Sequence, residues 1–206
     1  MGRWPYRSDY LAPITHWRRH LSNLWCTPGE PIIWNGSRAE LSACLPACLP
    51  ACLPACLPAC LPSCLPDFPD EGFPGTCEWA TIEHIFQATK CYLSHDGTAE
   101  GKAASLADAR RFMIGGDIVT GVDARKARKL RMLTPSQLRT RWTPDVANAV
   151  MASAAKAKYR RLDSVDSRIL LATYPAELWH IVPRQAVAIR FTWLEEIRAG
   201  LLVIGG

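Results

Sequence analysis

The chain has 206 residues, long enough to bury a sizeable core in one domain. With 49% hydrophobic and 21% charged residues and a net charge of +5, it has the make-up of an ordinary globular protein, compatible with phosphate-bearing ligands without demanding them. No apolar run approaches the ~18 residues of a membrane span, so the expectation is a cytoplasmic or nuclear protein with no membrane partner.

The first ten residues, "MGRWPYRSDY", lack the apolar core of a secretory leader. Further on, "LSN" places Ser22 and Asn23 in a polar turn, where an asparagine ordinarily caps the backbone.

From Ala43 to Pro66 the unit Ala-Cys-Leu-Pro recurs with a period of four, closing on a Ser-Cys-Leu-Pro copy. That period would stack the cysteines on one helical stripe, but proline recurs with it and removes the helix option by deleting an amide donor in every unit. A turn-rich or polyproline-like segment remains. Uniform spacing argues against a metal knuckle, which needs differing turn residues between its ligands. Ala-Cys-Leu-Pro can be written GCC TGC CTG CCT, one tetranucleotide three times over, so replication slippage into a tolerated surface loop is the economical hypothesis; sequencing the gene tests it. With the Gly-, Pro-, Asn- and Asp-rich flanks, Asn35 to Gly75 reads as one irregular insertion.

"TIEHIFQATKCYL", Thr81 to Leu93, predicts an amphipathic helix. Ile82, Ile85, Phe86, Thr89 and Leu93 fall on one face, and Thr81 can cap the start. Glu83, Gln87 and Lys90 fall on an adjoining stripe, with His84 nearby. After Gly97, "AEGKAASLADARRFM" predicts a helix or helical hairpin stopped by Gly115 and Gly116. Between Arg125 and Arg131 five of seven residues are basic, which leaves nucleic acid open as a partner beside a plain solvated helix face. Thr143, Pro144 and Asp145 signal the start of another helix, with Val146, Val150 and Ala154 facing in. A short helix near Ile169, a strand-like "ELWHIVP" and a last helix carrying Leu194, Ile197 and Leu201 complete the chain. The fold class expected is therefore α+β, predominantly helical, one domain with a few short strands.

"HLSNLW" (His20 to Trp25), "WATIEHIFQATK" (Trp79 to Lys90), "SLADARRF" (Ser105 to Phe112), "AVMASAAKAKY" (Ala149 to Tyr159), "ILLATYPAELWH" (Ile169 to His180) and "TWLEEIRAGL" (Thr192 to Leu201) resemble, in that order, blocks of the NADAR (YbiA-like) family. The resemblance covers about two thirds of the chain and is most specific at Glu-His-x-Phe-Gln-Ala-x-Lys. It makes residues 1–34 the first part of a NADAR-like domain, 35–75 the insertion and 76–206 the main body.

The resemblance implies an α+β fold and N-glycosidic chemistry on ribosyl compounds: hydrolysis of phosphoribosylated riboflavin-pathway intermediates, or removal of ADP-ribose from guanine. Breaking a C–N glycosidic bond builds positive charge on the anomeric carbon, which a carboxylate stabilises; Glu83 is the candidate. Lys90 and His84 are candidates for phosphate binding, diol orientation or proton supply, and Gln87 for positioning. The bare residues equally allow a solvated face for Glu83 and Lys90, and a core or capping role for His84. Of Lys156 and Lys158, the resemblance favours Lys158 as an inward phosphate ligand, and it sets Ser22 and Asn23 against the site. Where many members carry Asp-x-x-Trp-Gly near the C-terminus, this chain has "ELWHIVPR". Glu177, Trp179, His180 and Arg184 are the substitutes there, Trp179 to stack on a base and Arg184 to grip a phosphate, with Trp179 in the core and Arg184 solvated as the equal alternative. No metal or organic cofactor is implied. The competing expectations are a non-catalytic sensor binding NAD or ADP-ribose, and an interaction protein using the cysteine loop.

Overall fold

The computed structural model describes residues 21–23, 25, 27–37, 41, 73–75, 77–127, 141–181 and 188–205. Its elements, in order, are β1 (Ile32–Ile33), β2 (Glu78–Trp79), α1 (Ile82–Tyr92), α2 (Ala99–Arg110), α3 (Gly121–Lys126), α4 (Pro144–Lys158), α5 (Val165–Ala172), β3 (Trp179–Ile181), β4 (Ala188–Arg190) and α6 (Thr192–Gly205). The architecture is mostly helical, with two small antiparallel pairs, β1 with β2 and β3 with β4. No helix among the described residues is long and apolar enough to cross a membrane.

Capping fixes most helix starts. Thr81, Thr98, Thr120, Thr143 and Ser164 each stand in extended conformation and accept, through the hydroxyl, the N–H three residues on. Glu83, Glu100, Asp123, Asp145 and Asp166 add negative charge to the first turns, where the helix dipole favours it.

Helix α1 is the hub, with α2, α3, α4 and β2 packed around it. Its inner face, Ile82, Ile85 and Ala88, is completely enclosed, and α4 meets it with Val146, Ala149, Val150 and Ala154. The small residues of α4 allow that close approach. Helix α6 closes the other side through Leu194 and Leu201, packing on α5 and α4.

The insertion has narrower limits than the sequence predicts. Leu41 and Phe73 lie in the core, and Phe73 packs on Trp34, Trp79 and Tyr92 at ring distances of 6.1, 5.5 and 5.1 Å. Beyond the β1–β2 pair the two arms stay joined: Trp34 N–H donates to Cys77 O at 3.2 Å and Phe73 N–H to Asn35 O at 2.7 Å. The Asn35 side chain accepts from Cys77 N–H at 3.3 Å. Asn35, Leu41 and Phe73 thus belong to the folded body, because their backbone partners and apolar contacts are there; the repeat itself lies outside the described residues. Gly36 is required at this neck: its φ is +66°, and a Cβ would stand 2.3 Å from the Trp34 ring.

Candidate functional site

The partly exposed stripe of α1 holds the first group of candidate residues. Glu83 opens it in the first turn, and its N–H donates to Asn23 O at 3.0 Å, so the early loop docks on the helix start. The same loop is held from below by α4, where Lys158 Nζ donates to Ser22 O at 3.2 Å. Ser22 and Asn23 therefore reach the site through backbone carbonyls, while the Asn23 amide points to Met151 Sδ at 3.2 Å.

One turn after Glu83, Gln87 Nε2 donates to Glu83 Oε1 at 2.8 Å. Gln87 is 6% exposed, and its enclosed Oε1 has no hydrogen-bond partner among the described residues. Glu83 makes no ion pair with any described residue. Lys90 follows one further turn on. Helical side chains lean toward the N-terminus, and Lys90 does so: its Nζ lies 4.2 Å from the Phe86 ring centre and 5.2 Å from that of Trp142. The two rings meet edge to face at 5.0 Å. Glu83, Phe86, Gln87 and Lys90 are thus strung along two turns of α1, and Trp142, from just ahead of α4, lies against Phe86. Trp142 is the member that sequence reasoning missed. It belongs to no periodic run, and only its place just ahead of the Thr143 cap ties it to this face.

His84 is a correction. Its ring is 0% exposed, with Nδ1 2.8 Å from Thr81 Oγ1 and Nε2 3.1 Å from Ile118 O. Since a carbonyl only accepts, Nε2 carries the hydrogen and Nδ1 accepts from the threonine hydroxyl. Burial holds its pKa below the ordinary histidine value, against the opposing pull of Ile118 O and Asp123. It is a neutral core histidine that ties α1 to the segment leading into α3, and it is not placed to protonate a leaving group.

Lys158 does point inward and Lys156 outward, as expected. Lys158 is 7% exposed, and its ammonium is committed to Ser22 O and, at 3.9 Å, to Asp166, whose other oxygen accepts from Thr27 Oγ1 at 3.0 Å. This geometry positions the early loop and leaves the phosphate role without support.

The C-terminal candidates form a separate group. Trp179 is 39% exposed, and its Nε1 donates to Glu177 Oε2 at 3.0 Å. Arg190 braces that hairpin between Glu177 and Glu195, both at 2.8 Å. No described hydrogen bond or ring contact joins Trp179 to α1. His180 pairs with Ile189 in the β3–β4 ladder. Arg184 lies outside the described residues, as do 128–131 of the basic run; Arg125 and Lys126 are exposed at the end of α3. Among the described residues no group of three His, Cys, Asp or Glu side chains is arranged for a metal. Cys77 and Cys91 are buried thiols, and burial pushes the Cys77 pKa up.

Compared with protein-family models, curated proteins and solved structures, the chain matches none of them.

Proposed function

We propose that the chain is an N-glycosidase that hydrolyses the bond between a ribose and a nitrogen base, with Glu83 stabilising the oxocarbenium-like transition state. The observation that carries the reading is the α1 stripe: a partly exposed carboxylate with no ion-pair partner among the described residues, hydrogen-bonded by Gln87 one turn away, with the Lys90 ammonium further along the same helix over Phe86 and Trp142. The likeness of "EHIFQATK" to the most specific NADAR stretch supports it from the sequence side.

The bonds balance without a cofactor. The anomeric C–N bond breaks and its electron pair leaves on the base nitrogen, which takes up a proton. Water adds its oxygen to the anomeric carbon and loses a proton to solvent. As the bond lengthens, positive charge grows on the sugar ring, and a fixed carboxylate interacts more strongly with that state than with the neutral substrate. With His84 enclosed in the core, Lys90 is left as the candidate proton donor to the leaving nitrogen, or as the cation that holds a 5-phosphate. The substrates that fit the resemblance are a phosphoribosylated riboflavin-pathway intermediate and ADP-ribose on guanine.

A panel assay tests this. Purified protein incubated with a phosphoribosylated aminopyrimidine and, in parallel, with an ADP-ribosylated guanine oligonucleotide is expected to release free base from at least one of them. Binding of both without release would favour the sensor reading, which the withdrawal of His84 from the site makes the natural alternative.

A further inference from the structure

Ser22, Asn23, Thr27 and Glu30 lie in no helix or strand, so polar anchors decide where the early loop sits. Lys158, the last residue of α4, donates from Nζ to Ser22 O at 3.2 Å. Asp166, in the first turn of α5, accepts from Thr27 Oγ1 at 3.0 Å, and the Glu30 carboxylate accepts from the Val165 N–H at 3.2 Å. The Lys158 and Asp166 charges face each other at 3.9 Å, with side chains only 2% and 6% exposed. That separation is too long for a hydrogen bond, and each charge spends a shorter contact on the loop instead. The loop in turn reaches α1, where Asn23 O accepts from the Glu83 N–H at 3.0 Å. A first-turn amide has no acceptor within its own helix, so the loop supplies the one Glu83 uses.

A buried ion pair is weak evidence of a stabilising role, because well-packed apolar residues of similar volume often serve the fold as well or better. Apolar replacements fill the same space but hold neither a carbonyl nor a hydroxyl. We propose that Lys158 and Asp166 are a positioning pair: they set the early loop against the first turn of α1 and so fix the surroundings in which Glu83 works. The effect on the loop stands on the geometry alone, while the effect on rate rests on the reading of α1 as the active site.

The test compares the full-length wild type with Lys158→Met/Asp166→Leu, first by residue-resolved amide hydrogen exchange. The Glu83 amide is expected to exchange about five- to tenfold faster relative to that of Leu93, which donates to Thr89 O inside the same helix. A role in overall stability only would speed Leu93 at least as much as Glu83. On an N-ribosyl substrate that the wild type cleaves, kcat is expected to fall about ten- to a hundredfold while KM stays within about threefold. An unchanged ratio of Glu83 to Leu93 exchange in the folded double variant overturns the proposal. So does a faster Glu83 amide with kcat unchanged, because the loop would then move without consequence for the site. If the double variant does not fold, Thr27→Val, which deletes only the hydroxyl that Asp166 holds, decides by the same ratio. A wild type that hydrolyses no N-ribosyl compound would remove the glycosidase reading and leave the exchange result to decide the positioning of the loop.

Discussion

Two neighbouring side chains on α1 have opposite fates because the helix turns about 100° per residue. Glu83 stays at the surface stripe, while His84 is carried into the core and bonded at both ring nitrogens. Replacing His84 by alanine takes the ring acceptor from the Thr81 O–H and the ring donor from the Ile118 carbonyl, next to a cavity. The expected cost is about 3 kcal/mol, read as a drop of roughly 10 °C in Tm. The same histidine makes stability depend on pH. Its folded pKa is depressed by burial, so below about 6.5 the unfolded chain takes up the proton first. The unfolded state then binds more protons, and stability falls as the pH is lowered through that value. Tm measured between pH 7.5 and 5 is expected to decline less steeply in His84→Gln than in the wild type; parallel curves would refute the assignment. At the neck, Gly36→Ala meets both a positive φ and the Trp34 ring.

At the scale of elements, the parts of the chain with a local physical signal were legible in the sequence. The Thr81 and Thr143 caps, Pro144 in the first turn of α4 and the inward Val146, Val150 and Ala154 all appear as the residues suggest, whereas α2 ends at Arg110, ahead of the stop expected at Gly115 and Gly116. The choice of Lys158 over Lys156 as the inward lysine also follows. What the sequence hid was long-range. The pairing of β1 with β2 spans the entire insertion, and two-residue strands leave no periodic trace. Leu41 and Phe73 sit among turn-forming residues that mask them as core, and nothing local marks Trp142 as the lid over Phe86 and Lys90. The closed neck carries a prediction of its own. Since Asn35 O and Phe73 N–H are bonded directly, replacing Ala43 to Pro66 by a short Gly-Ser turn is expected to leave Tm within about 3 °C. Phe73→Ala, in contrast, is expected to cost about 3–5 kcal/mol. A collapse of the shortened chain in thermal unfolding would show the repeat to be structural.

Across the whole molecule, the early loop, α4 and α5 are locked by one buried polar cluster. Lys158 bridges Ser22 O and Asp166, Thr27 bonds Asp166, and Glu30 accepts from the Val165 N–H at the start of α5. Burial together with the Asp166 charge also keeps the fully enclosed Tyr159 protonated throughout the ordinary pH range. Removing one partner of a buried pair strands the other charge, so Asp166→Leu is expected to destabilise the chain by about 3–5 kcal/mol. Adding Lys158→Met is expected to restore part of that loss in denaturant unfolding. The cluster bears on the proposed site through the loop it fixes, since Asn23 O accepts from the N–H of Glu83 at the start of α1.

The central claim, that the Glu83 carboxylate is the charge on which hydrolysis depends, is tested most directly by comparing kcat/KM of the wild type and Glu83→Gln on an N-ribosyl substrate the wild type cleaves, with Tm measured on the same samples. The account predicts a loss of about a thousandfold with the fold intact, as for removal of one preorganised electrostatic group. A Glu83→Gln protein that melts like the wild type and keeps its full rate would contradict it.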